Sequence, residues 1–265
     1  MINFEKIPIK DGLLFCLDGE DYDNSEKWGP NITIKNGEIA KDHSVYLKKN
    51  SNANLQGSLQ IKFNNTFFFS LYMIVKFDFN ETNYSYYYIN DRNVLYIYTS
   101  PKQENQNNTR ISLGGHEIKL NLDLTKYHLI ALSLSPRTTQ IMVDGKIYTS
   151  YSPGYSDASI YGSTLYYLSD VGPFKADSSN SIYFKHLSFF VDNHNRYAAF
   201  KNSLWLMEQY QLEIPKDIKS LEPDLPDRKE SLLQAYVLEN NNIEHELFLK
   251  TINAYKGGYL GGIEE

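Results

Sequence analysis

From Phe67 to Phe79 every odd position is apolar: Phe67, Phe69, Leu71, Met73, Val75, Phe77 and Phe79. The even positions run Phe68, Ser70, Tyr72, Ile74, Lys76 and Asp78, and so turn polar toward the end. Successive residues of a strand point to opposite faces, so the segment reads as one long strand with one buried face; helical spacing cannot make that pattern. A second alternation runs Glu117-Ile118-Lys119-Leu120-Asn121-Leu122-Asp123-Leu124. Shorter strands are expected at Leu13–Leu17, Val45–Leu47, Leu59–Phe63, Tyr84–Ile89, Val94–Tyr98, Tyr127–Leu134, Thr139–Val143, Thr164–Leu168 and Ile182–Val191. Clusters such as Asp91-Arg92-Asn93, Gln103–Thr109 and Ser152–Asp157 separate them. Asp144-Gly145 is the strongest hairpin signal, because a two-residue I′ turn needs positive φ at both central residues. Many short strands without interleaved helices predict an all-β sandwich or barrel.

Composition then narrows the function classes. The chain has 265 residues, with 26 Lys and Arg against 32 Asp and Glu, a net charge of −6. Nucleic-acid binding is not expected, because phosphate neutralisation needs a basic surface. The single Cys16 excludes an intramolecular disulfide and multi-cysteine metal sites. The longest apolar run, Phe67–Val75, is far short of the roughly 18 residues that span a bilayer, so membrane insertion is not expected. The start, MINFEKIPIKDG, lacks the basic-then-apolar pattern of a secretion signal.

The pattern changes near residue 196. Tyr197, Phe200, Leu204 and Met207 are spaced as on a helix over Arg196–Gln211. Pro215, Pro223 and Pro226 punctuate a linker. Asp227 and Glu230 resemble a capping box that opens a helix through Leu232, Leu233, Tyr236 and Val237. A second short helix over Ile243–Ala254 would place Leu247, Phe248 and Ile252 on one side. The expected division is therefore a β domain over residues 1–200 and a helical and extended arm over 201–265.

Four stretches share a resemblance: DGLLFCLDGEDYDNSEKWG, NTFFFSLYMIVKF, YHLIALSLSPRTTQIMVDGKIYTS and SIYFKHLSFFV. In order and spacing they resemble the concanavalin A-like jelly rolls, in particular the laminin G-like branch common in surface and bacteriophage proteins. Tyr127 stands where that branch usually carries Trp. The resemblance covers about residues 10–200. It implies a jelly-roll sandwich of two antiparallel sheets packed ~10 Å apart with aligned strands.

Candidate sites follow from residue chemistry. Asp18, Asp21 and Asp23, with Glu20 and Glu26, gather hard oxygen ligands and offer a calcium site. The spacing does not fit an EF-hand, and a solvated turn with Asx-type bonds is the plainer reading; no cofactor is required. Asp21 to Glu26 also resembles the acidic signature of a glycosidase branch of the same superfold, a chemistry that needs two facing carboxylates. His128 and His186 lie within strands and read as structural, and Cys16 reads as a small buried hydrophobe. Trp28, Tyr84, Tyr86, Tyr155 and Tyr161 are the candidate ligand-binding aromatics, since an amphipathic ring stacks on a sugar. The plainer reading is a sheet surface that favours aromatics. Leu232, Tyr236, Leu247, Phe248 and Ile252 are the candidate docking residues of the arm.

Three functions are expected in order. The first is a bacteriophage virion structural protein, made in the host cytoplasm, displaying the jelly roll. It would be anchored to other virion proteins, or to copies of itself, through residues 201–265. The second is an extracellular carbohydrate-binding adhesin that recognises a host-surface glycan. The third is a glycoside hydrolase.

Overall fold

The computed structural model describes residues 6–10, 13–19, 33–48, 54–56, 60–63, 69–79, 95–103, 106–113, 116–134, 138–151, 164–166, 180–190, 196–221 and 235–237. The strands are β1 (Leu13–Asp18), β2 (Thr33–Lys35), β3 (Glu38–Ile39), β4 (Val45–Leu47), β5 (Asn54–Gln56), β6 (Gln60–Phe63), β7 (Phe69–Phe79) and β8 (Leu95–Gln103). They continue as β9 (Gln106–Leu113), β10 (His116–Leu120), β11 (His128–Leu134), β12 (Thr138–Val143), β13 (Lys146–Tyr151), β14 (Thr164–Tyr166), β15 (Asn180–Phe190) and β16 (Ala235–Val237). The helix α1 spans Arg196–Gln209, and a short 3-10 helix covers Ile218–Leu221. The fold is therefore mostly β and antiparallel, as the period-2 pattern predicts.

The main sheet has eight strands in the order β13-β12-β11-β7-β15-β4-β3, with β1 paired to the outer end of β15. A three-stranded sheet β10-β9-β8 lies with β9 against β12. Two smaller sheets are β14-β6-β16 and β2-β5.

The two long strands, β7 and β15, form the centre. Register places Leu71, Met73, Val75 and Phe77 of β7 on one face with Ile182, Phe184, Leu187 and Phe189 of β15, and with Ile130 and Leu132 of β11. All of these are buried, and Phe77, Phe184 and Phe189 are among the largest side chains with almost no exposure. The opposite face carries Tyr72 and Ile74 with Leu129, Ala131, Met142, Cys16 and Phe190. The sequence pattern predicts one buried face for β7; from Ser70 to Val75 both faces are buried. The reason is α1. Its Ala199, Phe200, Leu206 and Met207 pack on Tyr72, Ile74, Leu129 and Met142. Tyr72 and Phe190 meet edge to face beneath it, with centroids 5.4 Å apart.

The helix carries its own anchors. Asn202, fully buried, accepts a bond from the Ile9 amide (2.8 Å) and donates to the Ile9 carbonyl (2.7 Å), which ties residues 6–10 to the layer. Its C-terminus closes in a Schellman motif. The Leu212 amide donates to Met207 O (2.9 Å) and the Gln211 amide to Glu208 O (3.3 Å), with Gln211 at φ 53° where Gly is usual. The expected boundary at residue 200 falls inside α1, and Leu206, Met207, Tyr210 and Ile218 beyond it join the same hydrophobic cluster.

The Asp144-Gly145 turn forms as predicted, with φ of 47° and 82°. A Cβ on Gly145 would also press on the tip of the Ile218 side chain, but it is the positive φ that favours glycine here. His128 clamps this turn. Its Nε2 lies 3.0 Å from the Asp123 carbonyl, which can only accept, so Nε2 carries a proton. Its Nδ1 lies 2.6 Å from Asp144 Oδ2, and Asp144 Oδ1 also accepts from the Leu129 amide. Burial opposes the imidazolium, but the bond and charge of Asp144 outweigh it and raise the pKa. Residues 103–109 read as a break in the sequence, yet β9 starts at Gln106, and the Thr109 hydroxyl, buried, satisfies the Leu122 carbonyl at 2.9 Å. The helix expected through Leu232–Val237 is not what forms at its end: Ala235–Val237 is a strand in register with Phe63, Lys62 and Ile61. Tyr236 and Val237 favour extended backbone, and the partner strand supplies bonds that the local capping pattern does not.

Candidate functional site

The helix-side face of the main sheet extends beyond α1. A cross-strand row lies on this open half: Glu38 of β3 opposite Tyr46 of β4, Tyr46 opposite Tyr183 of β15, and Tyr183 opposite Lys76 of β7. Tyr127 stands just before β11, whose His128 pairs with Val75. The rings of Tyr46 and Tyr183 are stacked, 4.5 Å apart at 21°. The Lys76 ammonium sits 4.5 Å from the ring centroids of both Tyr127 and Tyr183.

A β-bulge adds a second ammonium. The β15–β7 register shifts between Phe184 and His186, so Lys185 is the extra residue. A bulge re-aims side chains next to it. Tyr183 precedes the bulge and His186 follows it, and both pair with even positions of β7 on the helix side. Lys185 comes to rest with its Nζ 4.6 Å from the Tyr127 centroid.

Asp42, in the β3–β4 turn, holds the cluster together. That turn closes through Ala40 N to Ser44 O (2.8 Å) and His43 N to Ala40 O (2.9 Å), with His43 at φ 60°. Asp42 Oδ1 accepts from the Ser44 hydroxyl (2.6 Å) and amide (3.3 Å). Oδ2 accepts from the Tyr127 hydroxyl (2.6 Å) and from Lys76 (3.3 Å). A carboxylate offers about four acceptor positions, and all four are used. Burial pulls against the charge, but the bonds from Ser44 and Tyr127 and the Lys76 charge hold Asp42 well below the usual carboxylate range. Burial, and then the bond donated to Asp42, push the Tyr127 phenol well above its ordinary value. Burial and the neighbouring Tyr46 push Tyr183 up to about 12. The cluster thus sets a charged Asp42 carboxylate against the neutral phenols of Tyr127 and Tyr183, with Lys76 and Lys185 beside them. Such a face can offer apolar ring area and donate hydrogen bonds; its saturated carboxylate is unsuited to accept a proton.

A second polar cluster lies under the helix. Cys16 Sγ is 3.8 Å from His186 Nδ1, which also lies 3.1 Å from the Tyr210 hydroxyl; His186 Nε2 lies 2.9 Å from Ser188 Oγ. A Cys–His pair invites comparison with a nucleophile and its base. Here burial, and then Asp18, push the thiol well up, while burial drives the imidazole down to about 3. Both side chains are closed off from solvent. The pair is neutral and serves packing, in line with the structural reading of Cys16 and His186.

Asp18, a candidate calcium ligand, is the last residue of β1. It is buried in register with His186, on the face it shares with Cys16. The next residue, Gly19, passes so close to the His43 carbonyl that a Cβ would collide with it. Among the described residues no three His, Cys, Asp or Glu side chains converge as metal ligands. Asp21, Asp23, Trp28, Tyr84, Tyr86, Tyr155 and Tyr161 lie outside the described residues, as do Glu26, Leu232, Leu247, Phe248 and Ile252. Tyr236 falls in β16 opposite Lys62. Among the described residues no helix is long and apolar enough to cross a membrane.

Asp42, Tyr46, Lys76, Tyr127, Tyr183 and Lys185 were not among the residues the sequence singled out as a site. Two signals were present. The even positions of β7 change from Tyr72 and Ile74 to Lys76 and Asp78, and Tyr183 and Lys185 alternate in SIYFKHLSFFV.

No protein-family model matches the chain. No curated protein matches it. Among solved structures, it is similar to the binding domain of botulinum neurotoxin DC in complex with rat synaptotagmin II. The identity is 12% and the TM-score 0.39, over 77% of this chain and 52% of that one. It is also similar to a structure describing botulinum neurotoxin type C cell entry as dependent on two ganglioside molecules, at 11% identity and TM-score 0.40, covering 77% and 52%. A third is Trypanosoma rangeli sialidase in complex with the inhibitor DANA, at 13% identity and TM-score 0.46, covering 75% and 33%. The chain thus spans about half the length of the toxin domains and a third of the sialidase. Nothing about ligand or activity follows from overlaps this loose.

Proposed function

We propose that the protein is a carbohydrate-binding module of the adhesin type, which holds a saccharide against the open half of its helix-side sheet face. The observation that supports this is the row of Tyr46, Tyr183 and Lys76 with Tyr127 beside it. Tyrosine rings offer apolar contact area and a polar tip at low conformational cost. Lys76 is held between two rings and bonded to Asp42, so a hydrogen-bond donor is fixed before any ligand arrives. Preorganisation of this kind raises affinity by lowering what must be ordered on binding. With its acceptor positions filled, Asp42 supports binding over hydrolysis. A virion protein displaying this domain would use the same face on a host-surface glycan; that placement rests on the family resemblance alone.

The test is a glycan array probed with the full chain and with Tyr46→Ala and Tyr183→Ala, each checked by circular dichroism. The stacked pair contributes about 0.5–1.5 kcal/mol beyond burial, so both variants are expected to melt as folded proteins. Signal on a defined glycan set is expected to fall at least about tenfold, the equivalent of 1.4 kcal/mol. An array with no retained glycan, or folded variants that bind as the parent does, would sink the reading.

A further inference from the structure

We infer that the ligand is a saccharide carrying a single acidic sugar, oriented with its carboxylate toward Lys185; this rests on the carbohydrate-binding reading above. The argument is the placement of charge along the face. Asp42 lies 3.3 Å from Lys76 and compensates it. Lys185 is different: among the described residues its ammonium has the Tyr127 ring beside it and no carboxylate partner. The Tyr127 hydroxyl is committed to Asp42. The bulge therefore places beside Tyr127 a positive charge that no carboxylate among the described residues compensates.

Acidic groups border the row elsewhere. Asp78 is exposed and pairs in register with Ser181, and exposed Glu38 closes the row beyond Tyr46. Along the strands Asp78 lies on one side of Tyr183 and the bulge on the other, so acidic and basic groups flank the row. A saccharide lying along the row would rest its neutral part on the Tyr46–Tyr183 pair, and its acidic group would reach Lys185. A charge-assisted bond to an ammonium is about twice as strong as a neutral one, so Lys185 would set both preference and direction. Glu38 and Asp78, with a chain charge of −6, act against a densely charged polyanion, because like charges across a contact cost affinity.

The experiment is calorimetric titration of the full chain at low and high salt. Three probes serve: a neutral hexose trisaccharide, the same trisaccharide ending in one uronic acid, and a heparin fragment. The uronic-acid probe is expected to bind about tenfold more tightly than the neutral one at low salt, and the gap is expected to shrink as salt screens it. In Lys185→Gln, checked for folding by circular dichroism, the gap between the acidic and the neutral probe is expected to close. Equal affinity for the neutral and acidic probes, a gap that survives Lys185→Gln, or tightest binding to heparin would overturn the inference and leave the carbohydrate reading standing. No binding of any probe would remove both.

Discussion

The helix-side face of the main sheet divides into two halves that share strands but not chemistry. Under α1, the even positions of β7 are Ser70, Tyr72 and Ile74, all buried. Beyond α1, the same strand carries Lys76 and exposed Asp78. In the covered half, polar atoms pair inward: Ser70 with Ser133 at 2.7 Å, and His186 with Ser188 and Tyr210. In the open half they are organised around Asp42, and partly exposed rings border solvent. A strand face takes its role from what is stacked on it. Buried polar groups must find partners within the protein, while at a solvent-facing row water or a ligand completes the shell.

The sharpest way to break the comparison is to damage the cover. Phe200→Ala removes a fully buried ring between α1 and the sheet. The expected loss is about 3–5 kcal/mol, from lost transfer energy and the cavity left behind. Urea titration followed by tryptophan fluorescence and circular dichroism measures it. A loss below about 1 kcal/mol would mean that the helix does not seal this half. The open-half variants Tyr46→Ala and Tyr183→Ala are expected to cost far less stability and far more binding. That crossed pattern is the comparison stated as data.

The next effect is pH dependence from the covered half. His186 is held near 3 by burial, against an unfolded value near 6.5. Below pH 6.5 the unfolded chain binds a proton there that the folded chain refuses, so stability falls as pH drops from about 6.5 toward 3. The groups facing His186 are Cys16 and Asp18 on β1, Ser188 on β15 and Tyr210 after α1. His186→Gln is expected to be less stable at pH 7, yet to lose less on acidification over that window. Equal slopes for the parent and His186→Gln would remove His186 as the cause.

The smallest effect sharpens the edge of the cover. Gln211 holds a left-handed conformation at the end of α1, which costs a residue with a Cβ about 1 kcal/mol relative to Gly. Gln211→Gly is expected to raise the melting temperature by a few degrees, since about 1 kcal/mol corresponds to ~2–4 °C in a domain of this size. A fall would show that the Gln side chain contributes more than the strain costs.

Much of the sheet was legible from local pattern. The strands at Val45–Leu47, His128–Leu134 and Thr138–Val143 lie within a residue or two of their expected bounds, and the Asp144-Gly145 turn forms as read. These features are local: period-2 burial and two positive-φ residues are properties of consecutive positions. β9 was not legible, because its Gln- and Asn-rich start reads as a loop until β8 and β10 pair with it on both sides. The strand at Ala235–Val237 was hidden in the same way, since its partner β6 lies more than 170 residues away in sequence.

The candidate site was less legible still. Asp42, Tyr46, Lys76, Tyr127, Tyr183 and Lys185 come from four separate stretches, and no spacing rule joins those stretches. The sequence alone determined that alternating side chains make antiparallel strands, that α1 exists, and that aromatic rings are abundant enough to line a face. Only the tertiary structure decided which rings meet, how far α1 covers β7, and that a bulge at Lys185 adds a second ammonium. The physical reason is range: alternation acts between neighbours along the chain, whereas strand order, helix placement and a bulge's register shift depend on partners from distant segments.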